Sequence, residues 1–351
     1  MASTDEFRNW AQGHQYRLIA AELLRLEQGR GSFDYEDLAD DPEAALHGNS
    51  EVTVEYDTHP RAGCSVYGYY RPNLNGQSLI FIHPSLTNER DNFTILHELG
   101  HHVQRQHLAW AEIRYQIAGI AGEALEERVA DAFAAEILIP TSAVASGEGW
   151  LNARTLREVY SNVRASRAAV AMRAIEISPA EEQATVLVTD DKGMVLFARA
   201  SGDEVFAPAR GCIQPGVAEL ILRASEGEGH LSGELSWGLQ ARSGWEQQAL
   251  TAEVALDHTW SYAFVVIRPS QKFGRSPQWS RREDQECSRA ACGTIFSVDE
   301  TISICSTCKS SECPECRSCA CDLAVGEACG KCFTTFSAAE RATPDIHECM
   351  F

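Results

Sequence analysis

Eleven of the thirteen cysteines fall between Cys287 and Cys349, and this uneven placement divides the chain into a long body and a short tail. The tail has little apolar content, so a hydrophobic core alone cannot fold it and some cross-link must. Its spacings are Cys287-x4-Cys292, Cys305-x2-Cys308, Cys313-x2-Cys316, Cys319-x-Cys321 and Cys329-x2-Cys332, then His347-x-Cys349. Thiols paired two residues apart suit the turn-borne ligands of tetrahedral zinc. Met1 to Glu6 is acidic and lacks the apolar segment of a secretory signal. A reducing, cytoplasmic setting is therefore expected, and metal ligation over disulfides. These ligands suffice for two or three structural zinc ions. The first four cysteines can make one ribbon-like site, and spacing does not group the others.

The body is different in kind. With 351 residues and a hydrophobic fraction of 44%, the chain can bury real cores in two or three domains. No run of about 18 apolar residues is present, so no membrane span is expected. The formal charge of -20 disfavours generic coating of nucleic acid. Apolar spacing predicts an amphipathic helix over 6–27, and Gly29 to Asp41 reads as loop. Glu51–Tyr56 alternates as a strand, and Ser65–Tyr70 and Ser78–Ile82 flank the turn pair Asn75-Gly76. Helices follow from about Arg90 to His107 and from Glu123 to Ile139, the latter stopped by Pro140.

Within the first of those helices stands His97-Glu98-Leu99-Gly100-His101. Residues four apart share a helix face, so both imidazoles can bind one zinc ion. Glu98, beside the first ligand, reaches a zinc-bound water as general base. Leu96, Leu99 and Val103 form the opposing, buried face. A catalytic zinc needs a third protein ligand and an open position. The next helix offers Glu127 as that ligand. Asp131, four residues on, can accept a hydrogen bond from the free nitrogen of a ligating histidine. Glu126 points about 100° away from Glu127 on a helix and reads as a solvated acid. For a second oxyanion donor, His102, His107, Tyr70 and Tyr115 stay open, with His102 read as a surface residue. The strand at Leu79–Ile82 can align an extended peptide by edge pairing.

Asp91 to His102, DNFTILHELGHH, resembles the metal helix of the ImmA/IrrE family of metallopeptidases, and Glu127 to Pro140 resembles that family's second signature. The resemblance implies a zincin-like, α+β peptidase domain and a zinc-dependent endopeptidase of the thermolysin-like class. It also implies a helix-turn-helix repressor as substrate, whose cleavage switches on genes for stress responses, mobile elements or anti-phage defence.

Beyond the body's first part, 151–177 reads as two short helices, the second starting at Ser166. They are similar to a helix-turn-helix, with Arg154, Arg157, Arg164 and Arg167 as a basic face; packing as a plain helical hairpin is the favoured reading. Strands then dominate to Ile267, with a tight turn at Asp191-Lys192-Gly193. Some relatives carry a GAF-like sensor module at this position. Trp237, Trp245 and Trp260 belong to its core or line a ligand pocket. Arg268 to Arg282 holds five basic residues and no acidic one, plus Phe273 and Trp279, a candidate DNA contact. The expected domains are 1–145 (peptidase), 146–182 (helical), 183–268 (β-rich), 269–286 (basic linker) and 287–351 (cysteine-rich, zinc-binding). A non-proteolytic regulator binding DNA or a repressor, or the toxin-like enzyme of an antitoxin pair, are the competing readings.

Overall fold

Two capped helices open the chain where one long helix is expected. In the computed structural model, α1 (Thr4–Gln12) starts at a capping box of Ser3 and Glu6, and α2 (Tyr16–Arg30) ends on Gly31 in the left-handed conformation. Between them the chain turns at Gly13 and at His14, whose φ is +54°. Phe7, Ile19 and Leu23 are buried on the separate helices, whereas Leu18 faces out. The stretch expected as loop also carries helix: α3 (Tyr35–Asp40) and, directly after it, α4 (Pro42–Leu46). Asp34 accepts from the amides of Glu36 and Asp37, and Asp41 from that of Ala44. Aspartates that signal a loop thus serve as N-caps, with Pro42 in the first turn.

The structure describes residues 2–56, 68–73, 76–84, 88–117, 119–145, 151–179, 181–270, 278–281, 284–287, 289, 292–297, 303–305 and 311–319. They fall into two compact units, Met1–Ala143 with Val163–Ser166, and Val144–Asn162 with the chain from Arg167 onward.

The first unit continues with a small sheet of β1 (Val52–Tyr56), β2 (Gly68–Arg71) and β3 (Ser78–Ile82). β3 lies in the middle, parallel to β1 and antiparallel to β2. Both of its edges are taken, so it cannot pair a peptide as expected; β1 and β2 form the sheet's edges among the described residues. Asn75 lies outside the described residues, as does 65–67 of the expected first hairpin strand.

Three helices follow: α5 (Asn88–Gln106), α6 (Leu108–Gln116) and α7 (Ile120–Leu138). The apolar side of α5, with Leu96, Leu99 and Val103, is fully buried. At Gly100 an added Cβ would lie 3.1 Å from the Ala130 Cα and 3.3 Å from Phe133. The missing side chain lets α7 press directly on α5. Gln104 locks the corner: its Oε1 accepts from the Trp110 indole at 2.9 Å, and its Nε2 donates to the Glu126 carbonyl at 3.0 Å. A short helix, α8 (Thr141–Ala145), follows Pro140.

The second unit begins with α9 (Ala153–Asn162) and α10 (Arg167–Ile177), followed by β4 (Ala184–Asp190) and β5 (Val195–Ser201). Gly193 makes the turn between the strands with φ +75°, and Asp190 Oδ1 accepts from the amides of Lys192 and Met194. Then come α11 (Pro215–Ser225), β6 (His230–Glu234), β7 (Leu239–Gln240), β8 (Trp245–Gln248), β9 (Leu250–Leu256) and β10 (Tyr262–Pro269). The main sheet runs β5-β4-β10-β9-β6, antiparallel throughout. Val217, Leu220 and Ile221 of α11 share one core with Leu187, Val254 and Val265 of the sheet. On the other face Tyr160 of α9 packs against Phe264. Covered on both faces, β4 is buried along its whole length.

Two of the four arginines expected as a phosphate-binding face, Arg167 and Arg164, have acidic partners. Arg167 is buried, with Nε 2.8 Å and Nη2 2.5 Å from Asp257 Oδ2, and its guanidinium lies over Tyr160 and Tyr262. Arg164 pairs with Asp40. Trp237, Trp245 and Trp260 are each about half exposed and are not core. Inside the expected linker, β11 (Gln278–Arg281) pairs with β8, and β12 (Asp284–Glu286) pairs with β13 (Ile295–Ser297). Phe273 lies outside the described residues.

Arg167→Met leaves Asp257 as a buried, unpaired charge and should lower the free energy of urea unfolding by about 3–5 kcal/mol. Arg164→Ala, at an exposed pair, should cost no more than about 1 kcal/mol.

Candidate metal centre

His97 and His101 stand one turn apart on α5, and the approach allowed by Gly100 brings α7 within reach of both rings. His97 Nδ1 lies 3.0 Å from Asp131 Oδ1, and His101 Nδ1 lies 3.1 Å from Glu126 Oε1. A carboxylate only accepts, so each imidazole carries its proton on Nδ1. In the neutral rings both Nε2 atoms then present lone pairs. They lie 3.2 Å apart. Glu127 adds carboxylate oxygens 3.2 Å from His97 Nε2 and 3.5 Å from His101 Nε2. Three electron-rich atoms converging on one point repel each other unless a cation lies between them. Ligands about 2.0–2.1 Å from a tetrahedral zinc ion sit about 3.3 Å from one another, which matches these spacings. The donor set therefore fits zinc.

The carboxylates differ in setting. Burial opposes the charge on Glu126, yet hydrogen bonds from His101 and Arg114 hold its carboxyl at about 2. Arg105 adds a second cation at 3.6 Å. Glu126 is thus no solvated bystander but the fixed anion behind His101. Burial also works against a charged His97, and the Asp131 carboxylate outweighs it, raising that ring's pKa. Glu98 is buried on α5, and burial raises its carboxyl above the usual range while the Tyr70 amide donates to it. A carboxylate poised to take a proton results.

The four candidate oxyanion donors fare as follows. His102 is buried, not on the surface, with Nδ1 3.0 Å from the Tyr70 hydroxyl and Nε2 3.4 Å from Glu51. Tyr70 also donates to Ser78 Oγ. His107 Nε2 lies 3.1 Å from Glu27, and Tyr115 is exposed.

The tail brings together Cys287, Cys292, Cys313 and Cys316, whose sulfurs all lie within 4.8 Å of one another. This departs from a site made of the first four cysteines. Cys305 and Cys319 are buried elsewhere in the tail. Cys308, Cys321, Cys329, Cys332, His347 and Cys349 lie outside the described residues, as does Cys64.

Residues 61–174 match the peptidase family whose model is described as the IrrE N-terminal-like domain. No curated protein matches the chain. A solved "Mycobacterium tuberculosis transcriptional regulator" is similar at 14% identity and a TM-score of 0.39, over 77% of this chain and 81% of that chain, too distant to inform function.

Removing either carboxylate behind the imidazoles should loosen metal. Glu126→Gln and Asp131→Asn should each weaken zinc binding about 10–100-fold in competition with a chromophoric chelator. Gly100→Val should do the same by wedging α5 from α7, whereas the exposed Glu123→Gln should change nothing.

Proposed function

We propose, from the match of residues 61–174 to the IrrE N-terminal-like peptidase family, that the chain is an intracellular zinc-dependent endopeptidase whose substrate is a helix-turn-helix transcriptional repressor. The observation that carries the reading is the convergence of the His97, His101 and Glu127 donor atoms beside a buried Glu98. Zinc bound there supplies positive charge that acidifies water toward a pKa of about 7 and stabilises negative charge on a carbonyl.

The chain's own residues do the remainder. Asp131 and Glu126 fix the tautomer and angle of the two imidazoles. The Tyr70 amide steers the Glu98 carboxylate. Glu98 takes a proton from the attacking water and returns it to the leaving amine. Its raised pKa suits the first half of that exchange, because a carboxylate that holds a proton more firmly is the better base.

The second unit is proposed to gate this activity. Support comes from its separate core and its sheet covered by helices on both faces, which suits a small sensor-like domain. Derepression of stress, mobile-element or anti-phage defence genes is the proposed outcome.

Glu98→Gln keeps shape and should keep zinc. Cleavage of a helix-turn-helix protein encoded beside this gene should fall by at least about 100-fold, read by gel and mass spectrometry of the fragments. Undiminished cleavage would overturn the proteolytic mechanism. Intact derepression in cells carrying Glu98→Gln would favour a stoichiometric regulator instead.

A further inference from the structure

The tail offers a second constellation of ligands, in the unit that does not hold the histidine helix. Cys287 Sγ lies 3.5 Å from Cys316 Sγ, and Cys292 Sγ lies 3.8 Å from Cys313 Sγ. Both close approaches join the first cysteine pair to the later one, and neither runs within a pair. A disulfide would need about 2.05 Å. Four sulfurs about 2.3 Å from a tetrahedral zinc ion would sit about 3.8 Å apart. The observed spacing is that of shared ligands.

The backbone repeats itself around the two pairs. Gly293, directly after Cys292, has φ +59°, and Arg317, directly after Cys316, has φ +56°. That conformation is easy for glycine and unfavourable for arginine, so Arg317 is held in it by its surroundings. In the first loop the Cys287 amide donates to the Thr294 carbonyl at 2.7 Å. In the second the Cys313 amide donates to the Ser318 carbonyl at 2.9 Å. Each left-handed turn brings a hydroxyl residue back toward sulfur: Thr294 Oγ1 lies 3.1 Å from Cys292 Sγ, and Ser318 hydrogen-bonds Cys316.

Among the described residues, regular structure in this segment is short. β12 and β13 pair over three residues each. Ile295 and Ile304 are exposed, by 69% and 49%. A two-stranded ribbon that short, with Ile295 in water, does not stand alone. Yet Cys287 and Cys313 are buried. We propose that Cys287, Cys292, Cys313 and Cys316 hold one zinc ion in a closed four-thiolate site that ties the β12–β13 ribbon to the turn at Cys313–Cys316 and bypasses Cys305, the cysteine next in sequence after Cys292. The ion is structural, since four protein thiolates leave it no open position. This assignment is independent of the peptidase reading.

The test uses the full chain. Zinc content by mass spectrometry should fall by one equivalent in Cys287→Ser and in Cys316→Ser, and by the same single equivalent when the two are combined. Loss of two equivalents in the double variant would place these cysteines on different ions and overturn the assignment, as would unchanged zinc in both single variants. A measurement on the unaltered chain guards against collapse of the tail in the variants. Graded removal of zinc with a chelator, followed by thiol alkylation and peptide mapping, should expose Cys287, Cys292, Cys313 and Cys316 in one step. Exposure of Cys287 and Cys292 in step with Cys305, and apart from Cys313 and Cys316, would overturn it.

Discussion

The contact of α5 with α7 at Gly100 and Ala130 sets everything that happens at the histidines. A helix with a side chain at that contact would stand farther off. Glu127 would then miss the two Nε2 atoms, and Asp131 and Glu126 would miss the Nδ1 atoms behind them. The contact gains nothing by itself. It is held by the apolar residues around it, among them Leu96, Leu99, Val129 and Phe133, all fully buried. Gln104 adds a polar clamp between α6 and α7. The metal centre is thus a consequence of helix packing.

How far the sequence discloses this depends on the range of each interaction. His97 and His101 share a face by helical period alone, as do Glu127 and Asp131, so those pairings are legible. Glu126 is not. Helical geometry correctly turns it away from Glu127, but it does not say that His101 and Arg114 occupy that side. His102 misleads for the same reason: its partners Tyr70 and Glu51 come from a strand and a strand entrance far away in sequence. A histidine with two such partners can be buried at little cost.

Local chemistry is ambiguous in a second way. Asp34 and Asp41 look like loop residues and act as helix caps. Gly13 and His14 lie in an apolar pattern that runs past them, yet a left-handed residue ends the helix. Arg167 looks like part of a basic surface, but Asp257 lies on a loop ninety positions away in the chain and draws it inside. The cysteine spacings reveal pairs, because a pair is a turn. They cannot reveal which pairs share an ion, because that is set by how the ribbon folds back.

The three histidine-side donors are not equally wet. The Glu127 side chain is 60% exposed, His97 15% and His101 11%. The anion behind His97 is 48% exposed, and the one behind His101 only 13%. The centre therefore has a damp rim and a dry floor. An ion held there would face solvent on the Glu127 side and be shielded on the imidazole side. Dissolved salt screens the rim far more than the floor.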